Sequence, residues 1–396
     1  MASETFLDLV ETINASDATV GRLFGSDGRG IRKMVRSSPH YQQRLMEAAK
    51  FLAEVYDGTR PVYHLQEALG TADFPLLFGD IIDRQLLANY RETPFSYRNY
   101  VKVGSVPDFR AVKRFAMNGA EAVLPAVGQQ SEYPEVKLSD SVFQYSVGKY
   151  GKKIPFDWET MINDDLDAIK DIPARFGRAA RRTEEKFATT LFVDVNGPIA
   201  GFYNTANKNR IHTENGASVN NPALSIQGLQ DGILVLDSQL DFDGEPIVID
   251  AVELVIPQSL RIVAENILNS TELWINLAAS ATTQQLHTQN WMRGKVRLSI
   301  NYYIPRVAST ANGGTSWFLF ANPEVSRPAI EMGFLRGHEE PEIFVKDPNA
   351  MRIGGGTASP MDGDFDTDSI QYKVRHVMGG TLIDPKATVA SNGSGS

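Results

Sequence analysis

The chain is 396 residues long, 42% hydrophobic and 22% charged, with 39 Lys plus Arg against 48 Asp plus Glu and a net charge of −9. That is enough apolar material for a core of ordinary globular size, and an acidic balance argues against general nucleic-acid binding, whose affinity comes from neutralising phosphate with Lys and Arg. The absence of cysteine excludes disulfides, thiolate zinc sites, iron–sulfur clusters and cysteine nucleophiles together.

Phe6, Leu7, Val10 and Ile13 form a short apolar stripe, but Asp8 interrupts it and Glu11 follows, so it is no signal-peptide core. No window approaches 18 uninterrupted apolar residues, the length a membrane helix needs. A break at 25–30 precedes a second helical pattern, Leu45, Ala49, Leu52 and Tyr56, which stops at Asp57-Gly58. Leu76 to Tyr90 predicts a further helix ending before Thr93-Pro94.

From 103 to 155 the pattern changes. Phe109 to Phe115 reads as a strand, a polar Gly/Pro-rich stretch follows, and the chain returns through Val136 to Val147, where Phe143, Tyr145 and Val147 alternate with Gln144 and Ser146. The expectation is a long hairpin, and a lone hairpin buries too little to be stable in water. It needs a surface to lie on.

Residues 156–195 carry the strongest helical signal. Asn163 or Asp164 is a good N-cap, and Asp164, Asp165, Asp167 and Asp171 suit the positive end of the helix dipole. Ile169, Ile172, Phe176, Ala180, Thr183, Phe187 and Leu191 step by three and four along one stripe, with Pro173 expected to kink or restart the helix. Such a helix is a rod of about 40 Å. Beyond Gly197-Pro198, Leu224–Leu240 and Pro257–Leu268 read as helices. Pro246–Ile256, Val296–Ile304, Trp317–Phe320, Glu342–Lys346 and Ser369–Val377 read as strands, and Ser391–Ser396 reads as a disordered tail.

No reaction centre stands out. There is no Gly-x-Ser-x-Gly, no His-Glu-x-x-His and no phosphate-binding loop, and His40, His64, His212, His287, His338 and His376 are scattered. Asp362, Asp364, Asp366 and Asp368 alternate like the start of a calcium loop. The turn glycine is replaced by Thr367 and the bidentate acid by Lys373, so a solvated acidic turn is the preferred reading. The basic residues are more telling. Arg175, Arg178 and Arg182 fall at i, i+3 and i+7 on one helix face. The hairpin is basic too, with Arg110, Lys113, Arg114, Lys137, Lys149, Lys152 and Lys153. Docking on another copy of the chain is the reading preferred for Arg110, Lys113, Arg114, Lys137, Arg175, Arg178 and Arg182; the alternatives are local pairs such as Asp171–Arg175 and Arg181–Glu185, phosphate contact, or charges that blunt an exposed edge. An arm, a hairpin and an overlong helix are ill suited to a compact monomer.

Several segments resemble the major capsid proteins of tailed double-stranded-DNA bacteriophages: Phe74–Arg84 (FPLLFGDIIDR), Gly151–Trp158 (GKKIPFDW), Asn163–Leu166 (NDDL) and Ile172-Pro173. Glu253–Pro257 (ELVIP), Ala264–Ile267 (AENI), Trp317–Pro323 (WFLFANP), Leu335–Glu342 (LRGHEEPE) and Lys373–His376 (KVRH) continue the likeness over about residues 70–390. The resemblance implies the α+β Johnson-type capsid fold. Its parts would be an N-terminal arm with helices (1–102), an E-loop hairpin (103–155), P-domain residues with the spine helix (156–205), an A-domain (206–324), and P-domain return strands with the C-terminal tail (325–396). It also implies a non-enzymatic subunit, without cofactor or metal, that assembles as hexamers and pentamers into an icosahedral head around double-stranded DNA. The partners implied are copies of itself, a portal protein, separate scaffolding and decoration proteins, and DNA held by weak contacts, with no membrane. The location implied is the virion, assembled in the host cytoplasm. Residues 1–70 lack sustained heptads, so no built-in scaffolding segment is expected. The alternative is an encapsulin-like cellular nanocompartment shell enclosing an enzyme cargo.

Overall fold

A computed structural model describes residues 46–51, 53–54, 59–60, 74–92, 94–118, 127, 139–157, 166–214, 217–218, 220–241, 244–249, 252–276, 285–324, 328–346 and 364–395. The helices used below are α1 (Phe74–Glu92), α2 (Leu166–Phe192), α3 (Ile226–Asp237) and α4 (Arg261–Asn269). The strands are β1 (Lys102–Val106), β2 (Val112–Asn118), β3 (Ser139–Tyr145), β4 (Gly148–Asp157), β5 (Val252–Ile256), β6 (Glu272–Asn276), β7 (Gln285–Gln289), β8 (Val296–Ile300), β9 (Trp317–Ala321), β10 (Ile330–Leu335), β11 (Glu342–Val345), β12 (Ser369–Leu382) and β13 (Thr388–Ser391). The chain is α+β and divides into two units: Met1–Pro94, Lys149–Arg182 and His338–Val377, and Phe95–Gly148, Thr183–Gly337 and Met378–Ser396. This division cuts across the segments expected from sequence, since α2 changes unit after Arg182 and the hairpin shares a unit with residues 206–324. Among the described residues, no helix is long and apolar enough to cross a membrane.

In the second unit the central sheet has the order β8-β5-β9-β13. β8 runs parallel to β5, and β9 runs antiparallel to β5 and β13. Every residue of β5, β9 and β13 is buried, as continuous apolar runs demand when both sheet faces are covered. The pleat sorts them. Val255, Phe318 and Phe320 join Tyr97, Tyr100 and Phe192 in one core, where Tyr100 stacks on Phe320 at 5.0 Å and Phe192 meets Phe318 edge-on at 4.9 Å. Leu254, Ile256, Trp317 and Leu319 face α3 and α4 through Leu229, Ile233, Leu236, Ala264 and Ile267. α3 begins two residues later than Leu224 because Ser225 caps it, its side chain accepting from Gly228 N–H. It ends at Asp237, short of Leu240, which forms an isolated bridge with Pro246 instead. Pro257 leads into a 3₁₀ turn, Gln258–Leu260, before α4. In the same unit β1 runs parallel to β10 and β10 antiparallel to residues 378–382 of β12, while β6 and β7 form a separate antiparallel pair.

The first unit combines α1, residues 166–182 of α2, β4, β11 and residues 369–377 of β12. β11 and β4 both pair with β12. Backbones approach closely at Gly151, where an added Cβ would stand 2.5 Å from Val374 O, and at Gly177 of α2, 2.5 Å from Leu86 O of α1. Leu86, Tyr90, Ile172, Phe176 and Ala180 are buried.

Two expectations are corrected. Pro173 lies inside an uninterrupted helical span, so of the two outcomes expected, a kink or a restart, the restart does not occur; at the eighth residue the ring removes one amide donor from a helix long enough to keep its ladder on both sides. Residues 391–395 are ordered: Ser391 closes β13, Ser391 Oγ donates to Pro222 O at 2.7 Å, Thr315 Oγ1 donates to Asn392 O at 2.7 Å, and Gly395 N donates to Asn221 O at 2.9 Å. Composition gave no hint of these partners, which lie far away in sequence.

Candidate functional site

The hairpin expected from sequence is present as β2 and β3, in antiparallel register from Val112↔Tyr145 to Asn118↔Ser139. Among the described residues it forms a sheet of two strands. Arg110, Lys113 and Val142 are exposed along it. Arg114 and Tyr145 stand diagonally on one face of this ladder, and both reach a single carboxylate. Arg114 Nε donates to Glu331 Oε1 at 2.8 Å and Tyr145 OH donates to the same oxygen at 2.7 Å. Glu331 interrupts a wholly buried strand, β10, and is itself 4% exposed. A carboxylate there is tolerable only when it is paired and hydrogen-bonded, and the hairpin supplies both partners.

The floor beneath this link is glycine. An added Cβ at Gly333 would lie 2.5 Å from Tyr145 OH, one at Gly104 2.9 Å from Glu331 Oε1, and one at Gly379 2.3 Å from Ser146 O. The hairpin root therefore rests on bare backbone of β1, β10 and β12. Burial pushes the Tyr145 hydroxyl well above its usual range, and its bond to Glu331 pushes in the same direction. The Glu331 carboxylate likewise raises the Arg114 guanidinium. The tyrosine stays a neutral donor and the arginine a cation.

A second buried polar set holds the segment before β1. Glu185 accepts from Ser96 N at 3.1 Å, Tyr97 N at 3.3 Å and the Ser96 hydroxyl, capping the 3₁₀ turn Tyr97–Asn99. Its neighbour Glu184 accepts from Tyr97 OH at 2.8 Å. Ser299 donates to Glu253 and accepts from Asn99 Nδ2 at 2.9 Å. Burial raises the carboxyl pKa of Glu185 and Glu253, against the pull of these donors.

The remaining residues singled out from sequence are distributed as follows. Arg175, Arg178 and Arg182 are exposed on α2, with an Arg178 guanidinium nitrogen 3.3 Å from Asn89 Oδ1. Lys137 and Asp171's side chain lie outside the described residues. Arg181, on the same helix, is buried; its Nε donates to Tyr90 O at 3.0 Å and its guanidinium lies 3.8 Å from the Tyr90 ring centre. Asp362 is also outside the described residues, while Asp364 pairs with Lys346. Among the described residues, no group of three His, Cys, Asp or Glu side chains could hold a metal ion. Sequence reasoning passed over Glu331 and Glu184, took Tyr145 only as a strand residue, and took Glu185 only as a local partner of Arg181. The available signal was a glutamate inside an otherwise apolar strand pattern, Ile330-Glu-Met-Gly-Phe-Leu335.

A match to the family described as phage capsid protein spans residues 141–391, and the chain belongs to that family. No curated protein matches it. Among solved structures, the chain is similar to a protein of Gordonia phage Cozz (11% identity, 75% of this chain and 86% of that chain, TM-score 0.42). It is also similar to the capsid structure of the cyanophage P-SCSP1u (10%, 75% and 87%, 0.43) and to the virus-like particle from Pyrococcus furiosus (10%, 79% and 99%, 0.40). The protein is a subunit of a phage capsid shell, and its role in the virion is structural.

Proposed function

We propose that this major capsid protein assembles as hexamers and pentamers into a closed icosahedral head around double-stranded DNA, without catalysing a reaction. The observation that carries the reading is the basic two-stranded ribbon β2–β3, which pairs with no third strand among the described residues. Such a ribbon is marginal in water alone and gains stability by lying on a neighbouring copy. Lys113 on the ribbon, Arg110 just before it and Arg175, Arg178 and Arg182 on α2 supply exposed cations for those contacts, and Lys137, outside the described residues, is proposed as a further one. A contact of this head-to-tail kind, repeated by rotation, closes rings, and interlocked copies bury areas of the obligate class, roughly 2,000–5,000 Å². The net charge of −9 suits a container that holds DNA through few phosphate contacts and releases it. A portal protein, a separate scaffolding protein and decoration proteins complete the proposed partners, with assembly in the host cytoplasm.

The test is electron microscopy of the expressed protein, alone and with the scaffolding protein, followed by nuclease treatment of particles made in infected cells. Closed shells containing nuclease-protected DNA are expected. Shells holding a cargo protein instead would assign the chain to a cellular compartment.

A further inference from the structure

We propose that Glu331 is the positioning residue of the hairpin: by accepting from Arg114 on the outgoing strand and Tyr145 on the returning strand, it fixes the direction in which the ribbon leaves its sheet. The inference rests on the assembly reading above, and it gives Arg114 a role inside its own chain.

The geometry is that of a clamp. A two-stranded ribbon can pivot and twist about the point where it leaves a sheet. Here both strands are tied at that point, and to the same oxygen, at 2.8 and 2.7 Å. The carboxylate cannot adjust to follow the ribbon, because Glu331 is 4% exposed in a strand paired on both sides, with β1 at Lys102 and with β12 at Thr381. The height of the ribbon is set by the glycine floor, where any side chain at Gly333 or Gly379 would collide with Tyr145 or Ser146. Height set by glycine and rotation set by Glu331 leave the ribbon one orientation. The Arg114 side chain is 39% exposed while Glu331 is buried, so the arginine both pairs a buried charge and acts on orientation as a lever: a small rotation at the root is a large displacement at the tip. Holding an assembly arm in its bound direction lowers the ordering cost of each contact it makes.

The experiment uses the full chain, which has no native cysteine. Spin labels at Val142→Cys, exposed on β3 of the ribbon, and Thr310→Cys, exposed in the same unit, report the distance distribution in unassembled subunits. Arg114→Ala, Arg114→Lys, Tyr145→Phe and Glu331→Gln are compared with the parent. Melting temperature is read on the subunits and the yield of uniform particles after assembly. Arg114→Ala and Tyr145→Phe are expected to broaden the distribution, to cut the yield about fivefold or more and to lower the melting temperature, since each leaves the buried Glu331 carboxylate one partner short; Arg114→Lys restores most of all three. Glu331→Gln is expected to broaden it most; should that variant not fold, the two ribbon variants decide. An unchanged distribution in Arg114→Ala and Tyr145→Phe subunits overturns the inference, as does a lysine variant no better than alanine. Because the distance is read before assembly, a parent that never forms particles would refute the proposed function while leaving the clamp to be judged on its own.

Discussion

Gly379 shows how tightly single residues are constrained here. A Cβ at that position would stand 2.3 Å from Ser146 O, a backbone atom that cannot swing aside. Gly379→Ala is therefore expected to destabilise the subunit by about 1–3 kcal/mol, whereas Gly201→Ala, with nothing within 4 Å of the added carbon, is expected to be nearly neutral; denaturant unfolding of both variants checks the contrast. Glu185 makes a different prediction. Burial raises its folded-state pKa above the unfolded value, so the folded state binds the proton more readily. The stability tied to this group is fully present below the unfolded carboxylate pKa and is lost as pH rises through the folded one. Glu185→Gln, uncharged throughout, is expected to flatten that part of the profile: relative to the parent it gains melting temperature on going from about pH 4, below the ordinary glutamate pKa, to about pH 8. A parent-minus-variant difference that does not change between those pH values would contradict it. Glu342 acts oppositely. Burial pushes its carboxyl up, but hydrogen bonds from Arg375 and His338 outweigh burial and hold it below the ordinary value, so its contribution is present above the unfolded pKa and disappears as pH falls through the folded one.

At the level of elements, the period-two pattern of Phe143, Tyr145 and Val147 and the three-and-four spacing from Ile169 to Leu191 were enough to locate the ribbon and α2, because each pattern reports the one face that an element buries. The termini were less legible: α3 starts where Ser225 caps it and stops where Leu240 finds Pro246, both local events inside a longer apolar run. The ribbon clamp was not legible at all. Arg114 and Glu331 are 217 residues apart, and only the sheet register, with β1 beside β10, brings them together. The burial of Arg181 was not legible for a related reason, since its contacts are with Tyr90 of α1. Two predictions belong here. Replacing residues 116–141 by a short Gly-Ser link, which keeps Arg114 and Tyr145, is expected to leave folded subunits by circular dichroism and no closed shells by electron microscopy; intact shells would remove the ribbon from the assembly account. Reversing Arg175, Arg178 and Arg182 to Glu is expected to change stability little, because all three are exposed, while lowering the particle yield; a yield equal to the parent's would return those arginines to a merely solvated face.

For the molecule as a whole, family membership over residues 141–391 leads to one conclusion: the work of this chain is to join copies of itself. Under the proposed function, the ribbon, which pairs with no third strand among the described residues, and the exposed cations make their contacts between subunits. The most direct test is sedimentation of the purified full-length protein over a range of concentration and ionic strength, with and without its scaffolding protein, and microscopy of every fast-moving fraction. The account predicts rings and closed, uniform shells that give way to subunits as salt screens the arginine and lysine contacts. A single slow species of subunit mass under all of these conditions would contradict it.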